Sequence, residues 1–149
     1  MGDDRAVNRA DALARRPWFW TALRLGLVYV VIGLISSALS GAAGSQQLRF
    51  AWRFAAYVVS AIAFAIHVRY EYVVARSAPA TTALHAATGV ALGAFFLAGA
   101  AMIRAQLYGG PNPRGHMIAL VAWPAITAIP AFIVALAATA VLARTQPRD

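Results

Sequence analysis

The chain contains no cysteine and no lysine, and only five of its 149 residues are acidic. Without cysteine there is no disulfide, thiolate metal site, iron–sulfur cluster or thiol nucleophile, and the redox compartment leaves no mark on the sequence. Without lysine there is no Schiff base and no Walker-type phosphate loop, since both need a primary amine. Charge of either sign is scarce, at 12% of residues against 61% hydrophobic, where a soluble domain carries about a quarter. A water-soluble fold of this length cannot hide that much apolar surface, so the composition, with a mean hydropathy of +0.65, points to a membrane protein.

The net charge of +8 comes from 13 arginines. They are spread over tails and loops and form no dense run with interleaved aromatics, so no nucleic-acid partner is expected. The arginine-only basic set and the 36 alanines look like the codon usage of a GC-rich genome and carry no chemistry of their own.

Four apolar stretches are present, at about 18–40, 51–75, 81–106 and 117–143, and each exceeds the roughly 20 residues needed to cross about 30 Å of hydrocarbon. Nothing alternates with period two, which excludes a barrel. The breaks are the Ser40, Gly41, Gly44, Ser45, Gln46, Gln47 segment, the Arg76-Ser77-Ala78-Pro79 turn, and the run from Gly109 to Gly115 with Pro111 and Pro113, all of which carry turn signals. Connections this short make consecutive helices antiparallel neighbours. The expected fold is therefore an all-α integral membrane protein, an antiparallel four-transmembrane-helix bundle forming a single membrane domain over 1–149. Within it an Arg-rich tail (1–17) precedes the spans and a short tail (144–149) follows them.

An even number of crossings puts both termini on one side. Nine arginines (5, 9, 15, 16, 24, 69, 76, 144 and 148) share that side, against Arg49, Arg53, Arg104 and Arg114 opposite, and the excess predicts cytoplasmic termini in an inner (plasma) membrane. Trp18 and Trp20 then sit at the inner interface and Trp52 at the outer. The first stretch competes with a cleavable signal peptide, but about 23 apolar residues exceed the usual 7 to 15, so a retained span is expected. Residues 1–16 could form a short amphipathic helix on the headgroups. The small-residue pairs Gly33/Ser37, Gly89/Gly93 and Ala131/Ala135 read as close packing within the bundle rather than as a dimer motif. Pro124 and Pro130 should disturb the fourth span.

One constellation carries chemistry. Outside the tails the only acid is Glu71, in His67-Val68-Arg69-Tyr70-Glu71-Tyr72. With the second span ending near Arg76, Glu71 lies about 7 Å inside the interface and His67 about 13 Å, where polar groups need partners. At helical spacing Arg53, Tyr57, Ser60, Phe64, His67 and Glu71 form one stripe. On the third span Thr81, His85, Thr88, Leu92, Phe95, Gly99, Met102 and Gln106 form a second, which should face the first across the tightest hairpin of the bundle. With the turn centred near Ala78, Glu71 is level with His85 and His67 with Gly89. Arg24, one to two turns into the first span, is the candidate counter-ion for Glu71, while Arg69 points away and snorkels.

Three readings apply to this candidate intramembrane site of His67, Glu71, His85 and Arg24. It is a satisfied polar cluster in a structural, assembly or complex-subunit protein. It is a protonatable or cation site of a transporter or channel component, since imidazole titrates near neutrality. Or His67, Glu71 and His85 are metal ligands, a set without a second acid to orient them. The first is the expectation, with no metal and no cofactor. A two-histidine haem is disfavoured by a depth offset of about 6 Å between His67 and His85. No catalytic residues are assigned: Ser60 is two turns from His67 with no aspartate behind it, and there is no Gly-x-Ser-x-Gly elbow. The first span lacks the acid of the small multidrug transporters, and the histidines do not pair as in two-histidine cytochromes. Expected partners are the lipid bilayer, a second copy of the chain or other membrane proteins. Tyr70 and Tyr72 read as interfacial anchors, and the 107–116 segment as a connector.

Overall fold

The computed structural model describes residues 3–108 and 113–145, with side chains described over 19–108 and 114–145. The architecture is all-helical: α1 (Asp3–Ala42), α2 (Gln46–Arg69) continued by a π-helical turn (Tyr70–Val74), α3 (Pro79–Leu107) and α4 (Pro113–Thr145). Four segments are long and apolar enough to cross a membrane, Phe19–Ala42, Gln46–Val74, Pro79–Leu107 and Arg114–Thr145. The side chains of Trp18 and of the tail arginines 5, 9, 15, 16 and 148 lie outside the described residues.

Three boundaries differ from the sequence expectation, each for a local reason. The N-terminal tail is not a separate amphipathic helix, because α1 runs unbroken for 40 residues, about 60 Å at helical rise. Across the first break only 43–45 are non-helical, and α2 starts early because Ser45 caps it, its hydroxyl accepting from the Leu48 amide at 3.2 Å. Arg114, Gly115 and His116 belong to α4 rather than to a loop, with Pro113 tolerated at the helix start, where an amide would have no partner. Further along, Pro124 and Pro130 lie within α4 and withdraw the amides that would pair with the carbonyls of Leu120 and Ile126. The Thr127 hydroxyl bonds back to the Trp123 and Pro124 carbonyls at 2.9 and 3.1 Å.

The packing order is not the one the polar stripes suggest. Instead of a tight α2–α3 hairpin, α3 lies along α4 and α1, α1 supports α2, and α2 touches α3 and α4 only sparsely. The reason is side-chain size. In lipid the association of helices depends on close van der Waals approach, and the buried face of α3 is its small-residue face of Ala83, Ala86, Ala87, Gly89, Gly93 and Ala94, with Thr82. Gly89 faces α1, where a Cβ on it would lie 2.7 Å from Leu25 Cδ2. A Cβ on Gly93 would come within 2.7 Å of Tyr29 Cβ and 3.3 Å of the Gly26 carbonyl oxygen. The Gly89/Gly93 pair thus seats α1 within the bundle.

At the end of the bundle nearer the termini, Val68 of α2 packs with Ala83 and Ala86 of α3 and Ala135 of α4, flanked by Phe64, Phe132 and Leu136. This small core anchors the last turns of α2 and positions the polar residues beside it.

Candidate functional site

The chain reverses between α2 and α3 through an unusual helix end. After Arg69 the backbone widens, with the Ala75 amide donating to the Tyr70 carbonyl at 3.0 Å, a spacing of five characteristic of a π turn. Arg76 then takes φ +52°, the left-handed conformation that commonly terminates helices. That reversal lets the Ser77 amide donate to the Glu71 carbonyl at 3.0 Å. Pro79 follows, with its fixed φ suited to the first turn of α3.

This geometry folds Ser77 and His85 back over Glu71. The Ser77 hydroxyl donates to Glu71 Oε2 at 3.2 Å, and His85 Nδ1 lies 3.1 Å from the same oxygen. With the carboxyl ionised, Nδ1 carries the proton and donates. Glu71 is 4% exposed, so its carboxylate is enclosed and its partners come from its own hairpin. A carboxylate that gains an imidazolium or hydroxyl donor escapes much of the cost of burial, whereas one stripped of them would not.

The other sequence candidates fall out differently. His67 is buried one turn before Glu71, but its Nε2 has no hydrogen-bond partner. Arg24 is exposed and makes no ion pair with Glu71; the acid is answered by His85 instead, a residue adjacent across a short turn. Arg69 and Tyr70 are exposed and Tyr72 half-buried. His116 lies at the start of α4, at the opposite end of the bundle. Among the described residues no group of three or more His, Cys, Asp or Glu side chains is arranged to hold a metal ion, so the His67, Glu71, His85 ligand set does not converge.

Ser77 was not singled out from the sequence, although a hydroxyl in the turn six residues past the one acid of an apolar stretch is the signal that would have found it. Thr82, fully buried with its hydroxyl unpartnered, gave no signal beyond its type. The arrangement can hold a proton between a carboxylate and an imidazole and can fasten two helices.

No family model, curated protein or solved structure matches the chain.

Proposed function

We propose that the protein is a multi-pass inner-membrane protein with cytoplasmic termini and a non-catalytic role, as a structural, assembly or complex-subunit component. In this reading Glu71, Ser77 and His85 form a clasp that fixes the α2–α3 turn. The carrying observation is that the one acid within the spans has its carboxylate engaged by two side chains of its own hairpin, at 3.1 and 3.2 Å. The four apolar helices support the membrane location, and the arginine asymmetry supports the orientation.

A second reading is favoured by one specific observation, the buried His67 Nε2 without a hydrogen-bond partner beside this pair. It makes the cluster a proton or cation site. Reconstitution into liposomes separates the two readings. The clasp reading expects no proton flux above that of empty liposomes and a loss of thermal stability in Glu71→Gln. A pH-driven flux that disappears in a stably folded Glu71→Gln variant would replace it with the transport reading.

A further inference from the structure

The arginines on the side away from the termini oppose the topogenic rule, which favours basic residues on the cytoplasmic side. Three of the four line a single cleft. Arg49 and Arg53 of α2 and Arg104 of α3 surround a space of about 550 Å³ together with Ser37 and Ser40 of α1, within the roughly 300–1,000 Å³ of ordinary ligand sites. Arg49 stands in the first turn of α2, where the helix dipole disfavours a cation, so its own helix does not explain it. Among the described residues no acid is near: Asp3, Asp4 and Asp11 lie at the far end of α1, with Asp11 about 43 Å from Ser40 at helical rise, and Glu71 lies beyond the other end of α2. Ser40, another lining residue, is 6% exposed, and its hydroxyl has no hydrogen-bond partner.

The cleft continues downward. It shares Gly33, Ser36, Arg53 and Tyr57 with a groove of about 390 Å³ whose walls come from all four helices, among them Ile32 of α1, Ala56 of α2, Leu97 of α3 and Trp123 of α4. Because α2 leans on α1 and barely touches α3 or α4, the groove opens sideways, toward the position of hydrocarbon chains in a bilayer. A tri-arginine head site above an apolar, laterally open groove matches one chemistry, an amphiphile with a phosphate head and a hydrocarbon tail.

We infer that this cleft binds an anionic phospholipid of the surrounding bilayer, its phosphate held by Arg49, Arg53 and Arg104, and one chain lying in the groove. Guanidinium groups suit this task because they present paired donors to phosphate oxygens. The site is separate from Glu71 and does not depend on the reading given to it.

The test is native mass spectrometry of the delipidated full-length chain in mild detergent, titrated with phosphatidylglycerol and phosphatidylcholine of identical chains. The expected result is one bound phosphatidylglycerol with about tenfold or greater preference. That preference disappears in the triple variant Arg49→Gln, Arg53→Gln, Arg104→Gln and persists in Arg144→Gln, at the opposite end. Ala56→Leu, which fills the groove and leaves the arginines, weakens phosphatidylglycerol binding. If the triple variant does not fold, Arg53→Gln and Ala56→Leu decide the matter in its place. Equal affinity for the two lipids, a preference that survives loss of the arginines, or displacement of the lipid by millimolar inorganic phosphate would each overturn the assignment, the last by showing a site for a soluble anion.

Discussion

Glu71 and His85 meet at 3.1 Å across a turn that contains a π-helical widening, a left-handed arginine and a proline. Each irregularity serves the contact. The widened turn and the reversal at Arg76 bring Ser77 back onto the glutamate, and Pro79 starts α3 so that His85, two turns on, faces it. Glu71 is thereby the point at which the α2–α3 connection is tied.

The two partners of Glu71 should not be equivalent. Ser77→Ala removes one neutral donor and is expected to cost about 1 kcal/mol. His85→Leu removes the imidazole and leaves the carboxylate buried with the serine alone, at a cost of about 3 kcal/mol or more. Thermal or denaturant unfolding in mild detergent gives both values, and equal small effects would show that the imidazole bears no special load.

Arg76 is the positive-φ residue outside glycine among the described residues, and left-handed backbone costs a side-chain-bearing residue about 1 kcal/mol. Arg76→Gly is therefore expected to hold or raise stability by up to about 1 kcal/mol, whereas Arg76→Val, β-branched and ill suited to that conformation, lowers it. The same unfolding measurement ranks the two variants.

Helix contacts give a paired test. Gly93→Ala puts a methyl 2.7 Å from Tyr29 Cβ and should cost about 1–3 kcal/mol by forcing α1 from α3. Gly41→Ala meets nothing within 4 Å and should be neutral or stabilising, by up to about 1 kcal/mol, through helix propensity. A Gly93→Ala variant with intact stability and altered oligomeric state would move the pair from the bundle interior to a dimer interface.

Orientation is checked by fusion. A reporter placed after Asp149 is expected to be active only on the cytoplasmic side, and periplasmic activity would invert the topology.

The four spans were legible because an apolar run of more than 20 residues leaves few alternatives in a chain with so little charge. The Glu71–His85 contact was accessible from register, since a short turn fixes which residues share a depth. Helix neighbours were not. The polar stripe on α3 suggested a tight α2–α3 pair, but hydroxyl and amide positions do not set packing in lipid: Gly26, Gly89 and Gly93 did, by letting α1 and α3 approach. Of the α2 stripe only the His67 and Glu71 end is enclosed by protein, whereas Arg53 and Tyr57 stay exposed at the edge of an open groove. The choice of Arg24 as counter-ion failed because a nearer imidazole already served the carboxylate. The connector after Leu107 was drawn too long because Arg114-Gly115-His116 reads as loop, while a proline at the first helical position starts a helix as readily as it ends one.

The most direct test of the clasp is a double-mutant cycle between Glu71→Gln and His85→Gln, measured by equilibrium unfolding in mild detergent. The account predicts that each single variant is destabilised and that the double variant loses no more than the worse single one, a coupling of about 1–3 kcal/mol. Effects that add to within about 0.5 kcal/mol, or singles as stable as the parent, would contradict it.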